Sequence, residues 1–219
     1  MKFISAGPAF IDTVDALNFE FKEDTSNTVV ILGAYHFSTA QHIQYPDLHK
    51  QFDKVIIFNQ EQLHAKQLNF MTPEYANWLQ RADEVWDYDE ANFDILNQLN
   101  KNVKLHLLKP YKDWSKYQPV EKDIDILFYG AMNGYRSYLL SKLSEKYHVC
   151  VLQGEWNRLD EFILRSKILL NIHFYYECAL QEQARMIRWI GAPCRIISEK
   201  SKKNYLNVEE KTYEELLKL

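Results

Sequence analysis

Cysteine is scarce: Cys150, Cys178 and Cys194 are the whole supply in 219 residues. Their number is odd and no pair stands at metal-ligand spacing, so neither a disulfide framework nor a thiolate metal centre is expected. Reduced, buried thiols in a cytoplasmic protein are the reading. Long apolar runs are missing as well, and nothing approaches the ~18 residues of a membrane span. At the N-terminus, MKFISAGPAFIDTVDALNF carries a lysine and apolar residues, but Asp12 and Asp15 interrupt any signal-peptide core. Basic charge is not in excess. A formal net charge of -4 and a pI near 6.0 argue against a nucleic-acid partner, which needs a basic face. A Gly-x-Gly-x-x-Gly turn is absent too: the first buried run continues as ILGAYHFST, which discounts a dinucleotide-dependent dehydrogenase.

Hydrophobic residues make up 47% of the chain, ample for a core in one large domain or two small ones. The β-branched run Thr28 to Gly33 reads as a buried strand, and Lys54 to Phe58 as a second. Pro73 to Arg81 reads as a helix with proline near its start, Glu84 to Trp86 as a strand, Glu90 to Asn100 as a helix and Val103 to Leu108 as a strand. The first half thus shows about four strands. KPYKDWSKYQPVEK, with two prolines and little periodicity, reads as a linker with a hinge near Tyr111 to Glu121. Beyond it come a strand (Ile124 to Tyr129), a turn (Gly130 to Gly134), a helix (Arg136 to Tyr147), a strand (His148 to Leu152) and a helix edge (Leu159 to Arg165). LNVEEKTYEELLKL offers a last helix. The fold class expected is α/β, with two Rossmann-like βα domains over residues 1–115 and 116–219 facing a cleft.

The stretch from Lys167 to Glu199 is the most informative. It reads as a buried strand, a polar turn, a helix carrying Glu182 and Arg185, a Gly-Ala-Pro stop, and a strand ending in Ser198 and Glu199. Polar residues gather at the carboxyl ends of the strands, where open α/β sheets bind ligands. A nucleotide or sugar site is expected there.

The segments IIFNQEQL, ADEVWDYDEANFDIL, VKLHLLKPY, DIDILFYGAMNGYRSYLLSKL, KILLNIHFYYE and CRIISE, taken in order, resemble bacterial and viral glycosyltransferases of the GT-B type, the enzymes that build surface polysaccharides. The likeness covers roughly Val29 to Glu199, and its second half is similar to the C-terminal domain of the group 1 enzymes. It implies transfer of a sugar from a nucleotide-sugar donor, held by the C-terminal domain, to a glycan or lipid-linked acceptor, held by the N-terminal one. It implies that no metal and no separate cofactor take part, and it favours retention of configuration. Asp123 and Asp125 have the spacing of a metal-binding pair, but they flank Ile124 at the start of a strand. The family's pair of glutamates seven residues apart is not reproduced, because Glu182 has no partner at that spacing.

Glycosyl transfer passes through a cationic sugar while negative charge grows on the leaving diphosphate. Arg136, after the turn bounded by Gly130 and Gly134, is expected to meet that charge at a helix start, with Asn133 as cap or ligand contact. Glu182 and Arg185, one helical turn apart, either pair with each other or, as the resemblance implies, serve as phosphate clamp (Arg185) and as its orienter or the acceptor of a sugar hydroxyl's hydrogen bond (Glu182). Ser198 and Glu199 suit ribose hydroxyls, and His173 and Tyr176 stand where the preceding strand leaves the core. In the first half, His36 and Glu61 follow buried strands. Glu61 is expected to act as general base or to stabilise the sugar cation, and His36 is a second catalytic candidate.

Length leaves a minimal transferase, a fragment, a homo-oligomer or a subunit completed by a partner open. A lipid-linked acceptor would bring the protein to the inner face of a membrane, though no basic amphipathic helix stands out. The alternative is a noncatalytic module of the same fold that binds a glycan or a partner through exposed aromatics around Trp78, Trp86, Trp114 and Trp156.

Overall fold

The apolar runs become parallel strands, the arrangement in which a strand is buried on both faces and need not alternate. The computed structural model describes residues 1–36, 47–65, 70–154 and 158–219. Two compact units divide the chain, Met1–Lys109 and Pro110–Leu219, and each is described by itself. The protein is a mixed α/β chain with Rossmann-like parallel sheets.

In the first unit, β1 (Lys2–Ser5), β2 (Thr28–Leu32), β3 (Lys54–Asn59), β4 (Glu84–Asp87) and β5 (Val103–Leu105) form a five-stranded sheet in sequential order, all pairs parallel. Every residue of the central TVVIL strand β2 is buried. Helix α1 (Ile11–Glu20) buries Ala16 and Leu17, and Phe21 just beyond it stacks on Trp86 at 5.8 Å. Helix α2 (Pro73–Arg81) starts where Thr72 accepts from the Tyr75 amide and Pro73 needs no partner for a missing N–H. It sends Tyr75 and Leu79 into a core with Val29, Ile31, Val55, Ile57 and Val85.

Three features of this unit differ from the sequence reading. The sheet has a fifth strand, β1, whose four residues are too few and too exposed to show a pattern. The helix expected over Glu90 to Asn100 is a 3-10 turn (Glu90–Asn92) that runs into the α-helical turn α3 (Phe93–Leu96), and it ends before Asn100, whose amide turns to the carbonyls of Leu79 and Ala82. The strand begun at Val103 closes at Leu105.

The second unit contains β6 (Ile124–Tyr129), α4 (Gly134–Ser144), β7 (Val149–Leu152), α5 (Leu159–Arg165), β8 (Ser166–Asn171), α6 (Gln183–Met186), β9 (Arg195–Glu199), β10 (Glu209–Lys211) and α7 (Tyr213–Leu216). Its sheet runs β10-β9-β8-β6-β7, again all parallel. Leu139, Leu140 and Leu143 of α4 cover one face against Ile126, Phe128 and Leu170. Leu159 and Ile163 of α5 cover the other against Leu127, Leu169 and Trp189. The sheet is therefore doubly wound, and its strand order reverses between β6 and β8.

The segment read as a linker is instead strapped to the second unit. Trp114 is buried and donates from Nε1 to the Arg188 carbonyl at 2.9 Å, while Asp160 receives Lys112, the Tyr117 hydroxyl at 2.8 Å and Arg188 Nε at 2.8 Å. Trp86 is buried as well, stacked on His106 at 4.2 Å, so neither offers the exposed aromatic patch expected of a binding module. Trp78 is only partly buried and packs on the first core, and Trp156 lies outside the described residues. Among the described residues no helix is long and apolar enough to cross a membrane.

Candidate functional site

Where the order of a parallel sheet reverses, the loops from the two neighbouring strands leave in opposite directions and open a crevice at their carboxyl ends. Here those strands are β6 and β8, followed by Gly130–Asn133 and Ile172–Phe174. Most of the residues nominated from the second half converge there.

Asn133 caps α4: its Oδ1 accepts from the Arg136 amide at 2.9 Å, and its Nδ2 donates across the crevice to the Phe174 carbonyl at 2.8 Å. Arg136 is wholly buried, its guanidinium 5.2 Å from the Phe128 ring centre and 5.0 Å from that of Phe174. It donates from Nε and Nη2 to the Ile172 carbonyl at 2.9 and 2.5 Å, from Nη1 to the Ala131 carbonyl at 2.7 Å, and from Nη2 to Glu182 at 2.8 and 3.0 Å. Arg136, expected from its place after the turn to contact the diphosphate, thus has protein acceptors on most of its donors.

Glu182 sits one position ahead of the single-turn helix α6, not within it as the sequence suggested. Its Oε1 also accepts from the Phe174 amide at 2.9 Å, and its Oε2 pairs with Arg185 Nη2. Burial works against its charge, yet Arg136 and Arg185 outweigh that and hold the carboxyl at about 2. Burial lowers Arg136 to about 10, with Glu182 opposing, so both partners stay charged at neutral pH. The pairing within the protein is formed: Glu182 binds two arginines, and of the two the Arg185 side chain is the more exposed, 14% against 1% for Arg136.

Arg185 is aimed by Asn171 Oδ1, which accepts from its Nη1 at 3.1 Å, and by the Tyr129 hydroxyl, which donates to its carbonyl at 2.8 Å. Its guanidinium lies over Gly130, whose φ of +139° belongs to glycine and where a Cβ would stand 3.0–3.2 Å from the guanidinium atoms. Gly130 therefore makes room for the cation.

At the end of β9, Ser198 donates from Oγ to the Glu199 carbonyl and accepts from Asn171 Nδ2, both at 2.9 Å. The Glu199 carboxylate accepts from the His173 amide at 2.9 Å and from the Tyr135 hydroxyl. His173 is buried; its Nε2 faces the Lys200 carbonyl at 3.1 Å, which makes Nε2 the protonated nitrogen and leaves Nδ1 an acceptor without a protein partner. Tyr176 is half exposed and stacks on Tyr135 at 5.2 Å, which stacks on Tyr213 at 4.7 Å.

In the first unit the structure brings His36 and Glu61 together, Nε2 to Oε1 at 3.0 Å, at the ends of β2 and β3. The Glu61 hydrogen bond raises the His36 imidazole above its ordinary pKa, with burial opposing. Asp123 and Asp125, the pair with metal-like spacing, lie at the opposite end of β6, bound to Arg165 and to Lys167 at 2.7 Å respectively. Among the described residues no group of three or more His, Cys, Asp or Glu side chains is placed to hold a metal ion.

Sequence reasoning missed Asn171, Tyr135, Asn59, Asp87 and Asn92. A signal for three of them existed: Asn59, Asp87 and Asn171 are each the polar last residue of a strand, directly after apolar ones.

No family model matches the sequence. The chain is similar to uncharacterized protein L140 of Acanthamoeba polyphaga mimivirus, 24% identical over 203 residues, which covers 88% of this chain and 61% of that protein. Uncharacterized protein L137 of the same virus is 28% identical over 164 residues, covering 70% of this chain and 21% of its own length. Uncharacterized protein R358 is 27% identical over 202 residues, covering 91% and 67%. The chain thus spans from about a fifth to two thirds of these relatives. Among solved structures, a chain described as the Glycosylation Associate Protein (Gap123) complex from Streptococcus agalactiae aligns over 95% of this chain and 50% of its own length, with a TM-score of 0.46 and 10% identity.

Proposed function

We propose that this chain carries out glycosyl transfer, moving a sugar from a nucleotide-sugar donor to a glycan or lipid-linked acceptor in surface polysaccharide synthesis. One observation carries the reading: a guanidinium, Arg185, is held over a glycine turn at the reversal of a doubly wound sheet by a carboxylate that a second, buried arginine anchors. A fixed cation there suits an anion that gains charge during reaction, because its orientation is set before the charge develops. The ordered segments that resemble GT-B enzymes supply the substrate class.

In this reading the donor diphosphate meets Arg185 and the first turn of α4, with Tyr176 and Glu199 beside the nucleoside. The acceptor oxygen bonds to the anomeric carbon, the bond from that carbon to the diphosphate breaks, and its electron pair stays on the phosphate oxygen. Glu61, with His36, either takes the acceptor proton or stabilises the cationic sugar, in which case the acceptor proton goes to the departing phosphate oxygen. The anomeric configuration of the product separates these roles. The reading calls for no metal.

The test is thermal stabilisation by UDP, GDP, ADP, CMP and their sugars, each with divalent metal and with chelator. Stabilisation by one nucleotide that survives chelator and is lost in Arg185→Gln is expected. A folded protein that no nucleotide stabilises would overturn the reading. Clear binding without sugar transfer would leave the noncatalytic module in its place.

A further inference from the structure

The end of β4 holds a carboxylate that the proposed chemistry does not use. Asp87 is 0% exposed. Its Oδ2 accepts from Asn59 Nδ2 at 2.6 Å and Asn92 Nδ2 at 3.0 Å, and its Oδ1 from the Asp89 amide at 2.8 Å. Both asparagines turn to a single loop, the one that carries Glu61. Asn59 Nδ2 and Asn92 Nδ2 each also donate to the Glu61 carbonyl at 3.0 Å. Asn59 Oδ1 accepts from the Glu61 amide at 3.2 Å and the Tyr75 hydroxyl at 2.6 Å, while Asn92 Oδ1 accepts from the Leu63 amide at 3.1 Å.

An amide can turn either way about its last torsion, and a carboxylate, which only accepts, settles the choice. Asp87 forces both Nδ2 groups toward itself and so presents both Oδ1 atoms to backbone N–H groups at Glu61 and Leu63. The sheet does not require this. Residues of β3 and β4 already pair through their ladder, and an apolar residue at the end of β4 would avoid the cost of burying a charge. What the buried network specifies is the backbone around Glu61, and through it the 3.0 Å contact with His36.

We propose that Asp87 is the positioning residue of the Glu61–His36 pair, acting through Asn59 and Asn92 on the Glu61 backbone. The importance of the pair rests on the transferase reading; its placement does not. The groups that face Asp87 are Asn59 from β3, Tyr75 from α2, Asp89 and Asn92 from the turn after β4, and Glu61. Burial raises its carboxyl to about 7, against the donated bonds of Asn59, Asp89 and Asn92, so the state that only accepts is the one present above that pH.

The experiment is an NMR titration of the His36 imidazole, identified by its loss in His36→Gln, in the full chain without donor or acceptor. In the wild type His36 titrates above an ordinary histidine, and Glu61→Gln lowers it. Asp87→Asn, which offers a third amide where two amides need an acceptor, is expected to lower it in the same direction with the fold intact. Should Asp87→Asn not fold, Asn92→Ala removes one tether to the Glu61 carbonyl and leaves the carboxyl in place; a smaller downward shift is expected. An unchanged His36 titration in a folded Asp87→Asn or Asn92→Ala protein, with Glu61→Gln lowered, would overturn the proposal. Because the readout needs no turnover, absence of transfer by the wild type would count against the transferase reading alone.

Discussion

Arg136 Nη2 stands 2.8 Å from Glu182 Oε1, with both side chains withdrawn from solvent where the second sheet reverses its strand order. Glu182 is shared between Arg136 and Arg185, so its charge compensates two cations. Glu182→Gln keeps the shape and removes the charge. Breaking a buried pair from one side strands the partner, so a loss of about 3–5 kcal/mol is expected in urea unfolding. A loss under ~1 kcal/mol would mean that the arginines find other partners.

The same carboxylate sets an acid limit. Its folded pKa of about 2 lies below the unfolded value near 4.5, so its contribution is fully present above the unfolded pKa. It fades as pH falls from about 4.5 to about 2. Melting temperature against pH is expected to fall more steeply across that window in the wild type than in Glu182→Gln. Parallel curves would refute the assignment.

Gly130→Ala places a Cβ 3.0 Å from the Arg185 guanidinium at a φ of +139°. A cost of about 1–3 kcal/mol is expected, together with loss of nucleotide stabilisation as Arg185 is pushed aside. Gly134 is the control: a Cβ there meets open space, and Gly134→Ala is expected to retain nucleotide binding at unchanged or slightly greater stability.

Trp114→Ala removes a buried ring and its bond to the Arg188 carbonyl. About 3–5 kcal/mol should be lost, as for large aromatic deletions in cores. If the segment were a free linker, chemical denaturation would show almost no change.

Much of the fold was legible. Ile124–Tyr129, Pro73–Arg81 and Leu159–Arg165 fall where the sequence placed them, because a buried parallel strand needs an apolar run, proline suits a first helical turn, and Leu159 and Ile163 stand at helical spacing. The elements that escaped are short and depend on neighbours. β10 is Glu-Glu-Lys, with no apolar signal, and exists because β9 offers an edge and Arg195 binds Glu209. β1 likewise becomes a strand by pairing with β2.

Within the candidate site the sequence marked the loops after β6 and β8 and left the roles open. Arg136 read as a cation meeting the diphosphate at a helix start, since nothing local shows that Phe174 and the Ile172 carbonyl close over it. Asn59 and Asp87 went unread just past the strands expected to end at Phe58 and Trp86, because the two lie 28 residues apart in the chain.

What the sequence determined by itself is the alternation of strands and helices, the α/β class and the gathering of polar residues at strand ends. These follow from local patterns of apolar side chains, caps and glycines. Strand order, and with it the reversal between β6 and β8, was decided only in the tertiary structure. So were the choice of Arg185 over Arg136 as the more accessible cation and the tie from Asp87 to Glu61. Each depends on which distant groups share a low-dielectric interior, where every buried donor and charge must find a partner that the linear chain does not reveal.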